Sequence, residues 1–388
     1  MTLAASPPSP PLARTIVALE PDVFETLGRA VAVLFRVAHG EAFQRRVDAD
    51  AGEVARHAPG NFGVFMGYDF HVTPDGPRLI EINTNAGGAL VNGLHTASLA
   101  DPARLDCLCA GLLPVASIEE RIVASFRAEL EAARPGAALR SLAIVDENPE
   151  AQFLRGEFEL LGDLFGRAGI DARIGDTGEL RRRAGGLFLG ERRLDLVYLR
   201  DTDFQLEAPR SHALREAWLA GEVALTPSPR EHHLLADKRR LALFSCARTL
   251  RSLGVPPEDA AFLAAVVPET RPLAELGLEE AWRTRRAWVF KPAGAFGSRA
   301  VYRGDKISRR KLEEIARAGG FVAQRAVAPG EIEVATGDGP QRMKFDVRAY
   351  AYRDRILLLG ARVYQGQVTN LRTPGGGFSA ICVVRRPA

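Results

Sequence analysis

The chain has 388 residues, 46% of them hydrophobic and 26% charged, with a formal net charge of +3. That length suits two or three packed units, and the composition excludes a disordered or fibrous protein. No apolar run reaches the roughly 20 residues that span a bilayer, and so small a charge excess does not make a nucleic-acid surface.

Five of the 51 cationic residues are Lys, which marks each lysine as worth inspecting. Cys107, Cys109, Cys246 and Cys382 include no CxxC pair and have no histidine at ligand spacing. This argues against a zinc site or a disulfide framework and for a reducing cytoplasm. Met1 to Arg14 lacks a basic stretch followed by an apolar core, so it does not read as a signal peptide. Its proline run, Ser6 to Pro11, predicts an extended tail over residues 1–18.

From Pro21 to about Val47, Phe24, Leu27, Val31, Leu34 and Ala38 recur at helical spacing. Two apolar-rich runs, Gly63–Val72 and Arg78–Asn83, flank Pro74-Asp75-Gly76 and predict a hairpin. A helix follows over 117–133, and Pro135-Gly136 ends it. Ser141–Asp146, a helix from about Glu150 to Ala168, Leu194–Leu199, a helix from about Ala208 to Ala220, and Val223–Thr226 then alternate. Strands alternating with helices predict a parallel α/β layer, bounded at Pro227-Ser-Pro229. Beyond it come a helix from Glu231 to Leu253, a strand over Ala287–Lys291, a glycine loop from Pro292 to Ser298, a helix near Ser308–Ala318 and several strands. Within 342–353, Phe345, Val347, Ala349 and Ala351 alternate with Asp346, Arg348, Tyr350 and Tyr352, the pattern of a half-buried strand with a charged outer face.

Three constellations carry chemistry. Asp69, Glu81 and Asn83 offer hard oxygens on one face of the hairpin, which suits Mg²⁺ and equally describes a hydrophilic outer face. In Trp288 to Val301 an apolar strand delivers Lys291 into a loop containing Gly294, Gly297 and Ser298. Backbone N–H groups of such a loop can cradle phosphates, although no Gly-Lys-Ser/Thr opens a helix as a P-loop would. A plain glycine hairpin with a surface lysine is the other reading. Asp346, Arg348 and Arg362 place arginines on neighbouring strands, suited either to neutralising a transferring phosphate or to a structural ion pair. Tyr198-Leu-Arg200-Asp201-Thr-Asp203 follows a parallel strand, where α/β sheets open their binding crevice, and a capped polar loop is its alternative.

Lys238, Lys291, Gln324, Asp346/Arg348, Arg362 and Asn370 run in that order to the C-terminus, and together they resemble the ATP-grasp superfamily. The closing element, Asp69 with Glu81-Ile-Asn83-Thr-Asn-Ala-Gly87-Gly88, stands instead near the N-terminus. The resemblance is therefore to a circularly permuted ATP-grasp fold of the carboxylate–amine ligase type, distantly like glutathionylspermidine synthase. It implies an α/β (α+β) architecture with a Rossmann-like α/β domain preceding the ATP-grasp part. Residues 19–100 would be the permuted metal-binding part, 101–135 connecting helices, 136–230 the α/β substrate domain and 231–388 the lysine, glycine-loop and arginine strands.

Carried over by position, Lys238 and Lys291 meet ATP phosphates, Gly294, Gly297 and Ser298 close over them, and Gln324, Arg325 and Val327 form the adenine hinge. Glu331 (or Glu333) meets the ribose, while Asp69, Glu81 and Asn83 hold Mg²⁺. Lys291, Arg348 and Arg362 act on the phosphate being moved. Arg200, Asp201, Asp203, Asn370, Gly87 and Gly88 are substrate-side candidates. The expected enzyme is a cytoplasmic ligase that joins a small-molecule carboxylate and amine through an acyl phosphate, with no nucleic-acid or membrane partner. A non-catalytic nucleotide-binding module and a small-molecule kinase are the alternatives.

Overall fold

A computed structural model of the chain describes residues 10–99, 115–183, 185–294, 300–337, 339–367 and 369–384. Its largest sheet has seven strands, six of them in the order Leu12–Leu19, Gly377–Val383, Arg355–Tyr364, Gly339–Tyr352, Met66–Thr73, Gly76–Asn83. Gly330–Thr336 pairs with Gly339–Tyr352 off that path. The Leu12–Leu19 pairing is parallel and the others are antiparallel. The front and the back of the sequence thus share one hydrogen-bonded sheet. Phe70, Val347, Ala349 and Val363 from both stretches pack in its core with Leu27, Val31 and Leu34 of the helix Pro21–Ala38.

A second sheet is wholly parallel, in the order Ala224–Thr226, Leu196–Leu199, Ser141–Asp146, Asp171–Asp176. This is the expected α/β layer, and the apolar runs are its buried strands. A third, antiparallel sheet orders Thr270–Pro272, Phe321–Arg325, Trp288–Pro292 and Tyr302–Arg303. Trp288, Phe290 and Ala323 from it pack on Leu312 and Ile315 of the helix Arg309–Ala318. The sequence pattern did not show the small antiparallel sheet of Leu180–Arg183, Gly186–Leu189 and Arg192–Arg193.

Several expectations are corrected. Leu12–Leu19 is a strand, not tail, because Gly377–Val383 supplies an edge for it to pair with. The first helix stops at Ala38 and a second runs over Glu41–Val47, with Gly40 extended between them. The helix expected over Glu231–Leu253 is broken. Asp237 turns extended, and its carboxylate accepts the Arg239 N–H at 2.9 Å, so a new helix starts there. The charged face of Gly339–Tyr352 is covered, with Asp346 and Tyr350 fully buried. Cys382 is disulfide-bonded and Cys246 is a free thiol, against the expectation of a chain without disulfides. No helix among the described residues is long and apolar enough to cross a membrane.

Candidate active site

The hairpin sets Asp69 opposite Glu81, and the next ladder sets Arg348 opposite Asp69. Asp346 stands opposite Arg362 on the following pair. Because side chains alternate along a strand, all five groups share one face. Asp69 is 1% exposed. Arg348 donates to its two oxygens from Nε at 2.6 Å and Nη2 at 2.7 Å, and Arg362 Nη2 donates at 2.8 Å. Burial raises the Asp69 pKa, but the two guanidiniums outweigh it and hold the carboxyl at about 2. Arg362 also donates through Nε to Asp346 at 2.6 Å, and Thr369 bonds the other Asp346 oxygen at 2.7 Å. Asp346, read in sequence as part of an outer face, is thus a buried positioner of Arg362.

The lysines arrive from the other side. Lys238 Nζ lies 2.9 Å from Glu81 Oε1. Lys291 Nζ donates to the Ile80 carbonyl at 2.9 Å and to Gln324 Oε1 at 2.7 Å. The Lys238 N–H meets the Ala293 carbonyl at 3.2 Å, so the lysine turn also anchors the root of the glycine loop. Burial lowers the Lys291 pKa to about 8, with Glu81 opposing the shift and Lys238 adding to it. Glu81 and Lys291 therefore belong to one site, although 210 positions separate them in sequence.

Asp69, Glu81, Arg362, Lys238, Lys291 and Gln324 line a cleft of about 920 Å³ between the large sheet and the Lys291 sheet. Arg286, Arg303, Arg325, Arg342 and Lys344 line it too, of which sequence reasoning singled out only Arg325, and that for the adenine hinge. This cationic excess suits a polyanion. Gln324, Arg325, Val327 and Glu331 all reach the cleft, with Glu331 paired to Arg342 at 2.6 Å. Gly294 is exposed at the loop's near end, while Gly297 and Ser298 lie outside the described residues.

The expected metal set fits in part. Asp69 Oδ2 accepts from Arg348, Arg362 and, at 3.2 Å, Asn83 Nδ2, while Oδ1 accepts from Arg348 Nε. In this arrangement Asp69 clamps the two arginines. Glu81 and Asn83 each keep an oxygen outside these bonds. Together with phosphate oxygens and water, such a pair fits the hard-oxygen shell of Mg²⁺.

Behind Asp69 the polar floor continues toward the parallel sheet. Tyr350 donates to the Gly87 carbonyl at 3.0 Å. A Cβ on Gly87 would stand 2.6 Å from Arg200 Nη2. Arg200, 7% exposed, donates to Asn85 and to the Tyr198 hydroxyl, and its Nε has no hydrogen-bond partner among the described residues. Glu157, which nothing in the sequence marked, takes the Gly88 N–H at 2.7 Å and the Leu90 N–H at 3.0 Å, tying the glycine turn to the parallel-sheet unit.

The remaining substrate-side candidates stand elsewhere. Asp201 is held by Arg210 at 2.8 and 3.0 Å, and Asp203 takes the Ala208 N–H and the Ser211 hydroxyl. Asn370 forms an exposed turn through the Arg372 N–H.

Gly88 has φ +91°, and a Cβ there would fall 2.4 Å from Phe378 Cζ. Gly88→Ala is expected to cost about 2–3 kcal/mol through backbone strain and overpacking, read as a lower thermal midpoint.

No family model matches the chain, and no curated protein matches it. Solved structures do. A glutathione synthetase-like effector from Globodera pallida, in its apo form, is 12% identical, with a TM-score of 0.63, over 97% of this chain and 90% of its own. A candidate gamma-glutamylcysteine synthetase from Methylobacillus flagellatus KT is 13% identical, with a TM-score of 0.51, over 92% of this chain and 85% of its own. The chain is mixed α/β and shares the overall fold of these two structures.

Proposed function

We propose that the chain is an ATP-dependent carboxylate–amine ligase. The observation that carries this reading is the meeting of Lys238, Lys291, Glu81 and Arg362 in one cleft. The triphosphate would lie across Lys238 and Lys291, with the base at the Gln324–Val327 hinge. Glu81 and Asn83 would hold Mg²⁺, which when bound neutralises phosphate charge.

A substrate carboxylate oxygen attacks the γ-phosphorus, the bond to the bridging oxygen breaks, and ADP leaves. Arg362 stabilises the transferring group, held at its angle by Asp69 and Asp346. Arg348, fixed by Asp69, supports the same charge from beneath. An amine then attacks the acyl carbon, phosphate departs, and the nitrogen gives up its proton as the amide forms. Arg200 and the Gly87-Gly88 turn would receive the carboxylate substrate.

The arrangement of motifs along the chain is that of a circularly permuted ATP-grasp. A permuting cut before Pro21 would leave new ends side by side, and Leu19 pairs here with Val383.

The test is ADP release with ATP and Mg²⁺ over a panel of amino acids, peptides and polyamines. A ligase releases ADP only when acid and amine are both present. Release with one co-substrate and a stable phosphorylated product would make it a kinase. No release from a nucleotide-bound protein would make it a binding module.

A further inference from the structure

One cleft residue has no task in the nucleotide reading. His71 lies two positions along from Asp69, on the same face, and lines the cleft. Phe70 pairs with Val347, which sets His71 beside Asp346. Its Nδ1 is 2.9 Å from the Val327 carbonyl oxygen. A carbonyl only accepts, so Nδ1 carries the proton and Nε2 is left as an acceptor while the ring is neutral. Burial favours that neutral form, outweighing the Val327 carbonyl and Asp346, which oppose it, with Lys291 and Arg362 adding to it. Nε2 has no partner among the described residues.

Two side-chain acceptors at this end are already engaged. Gln324 Oε1 takes Lys291, and one Glu331 oxygen pairs with Arg342. A nucleoside entering here brings hydrogen-bond donors, its ribose hydroxyls and any exocyclic amine, to a wall where His71 Nε2 offers an acceptor.

We infer that His71 reads the nucleoside, with Nε2 accepting a hydrogen bond from a ribose hydroxyl or from the amine of the base. This rests on the nucleotide reading above and adds a specificity residue to it. The sequence alone held a signal, since Asp69, His71 and Thr73 share the period-two face of a predicted strand.

The test is equilibrium binding of ATP, 2′-deoxy-ATP, 3′-deoxy-ATP and purine riboside triphosphate, with Mg²⁺, to wild type and to His71→Phe. ATP is expected to bind the variant about 5- to 15-fold more weakly, the effect of one lost hydrogen bond. The analogue missing the donor that His71 reads should bind both proteins alike, which identifies hydroxyl or amine. His71→Gln, which keeps an acceptor oxygen, should recover part of the loss. His71→Leu, which also lacks the acceptor, replaces the phenylalanine variant in the four-nucleotide comparison if that one does not fold. An equal loss for all four nucleotides, or no loss for any, overturns the inference. Absence of nucleotide binding to the wild type overturns the nucleotide reading itself.

Discussion

Lys291→Met is expected to lower ATP turnover by about 10²- to 10³-fold, the usual effect of deleting one well-placed charge-stabilising donor in a phosphate site. The ammonium is partly buried and points between Ile80 and Gln324, so no mobile surface lysine can stand in for it. Methionine fills similar volume but leaves those two acceptors unpaired, at about 1–3 kcal/mol each. A folded protein with a somewhat lower melting point and almost no ADP release is the predicted result. Wild-type turnover in this variant would remove Lys291 from the phosphate site.

The same lysine gives a pH signature. Its pKa in the folded protein is about 8, below its unfolded value, because burial disfavours the charge. Below pH 8 that burial opposes folding in full, and the cost fades as pH rises toward the unfolded pKa. Triphosphate binding needs the charged form. ATP affinity is therefore expected to hold up to about pH 8 and to decline above it, which titration calorimetry at constant ionic strength can follow.

What the sequence showed was local chemistry. Lys291 at the end of an apolar strand, the Glu81-x-Asn83 alternation and the apolar runs of the parallel sheet each act over a few residues, so period and spacing sufficed. The joining of Asp69 to Arg348 spans 279 positions, and no local preference encodes it. Only the order of motifs, compared with a known family, pointed to it.

The misses have the same origin. Leu12–Leu19 becomes a strand because a distant edge pairs with it. Asp237 breaks a helix that hydrophobic spacing would continue, because its side chain captures a backbone donor. Asp69 was read by type and spacing alone, and the two arginines that bond it arrive from the far end of the chain.

That last assignment separates two substitutions that sequence alone would treat alike. Asp69→Asn removes the carboxylate between Arg348 and Arg362 and sets an amide N–H against a guanidinium. Arg362 keeps Asp346, but Arg348 loses the side chain that fixes it. Breaking such a buried pair costs about 3–5 kcal/mol, so the unfolding midpoint should fall sharply, with or without Mg²⁺. In the wild type the folded pKa of about 2 lies below the unfolded 3.8. The stability it supplies, about 2 kcal/mol, is complete above pH 4 and lost as pH falls toward 2, and Asp69→Asn should lack that acid-sensitive portion.

Glu81→Gln should behave in the opposite way. Its side chain is 23% exposed and glutamine keeps an oxygen for the buried Lys238, so the expected loss of stability is smaller, about 1–2 kcal/mol. ADP release should nevertheless fall by about 10²-fold, as for loss of one transition-state contact, and excess Mg²⁺ should restore part of it. Melting curves and Mg²⁺ titrations on both variants decide the matter. A stable Asp69→Asn protein that has lost its Mg²⁺ response would return Asp69 to the metal and leave the arginines without their clamp.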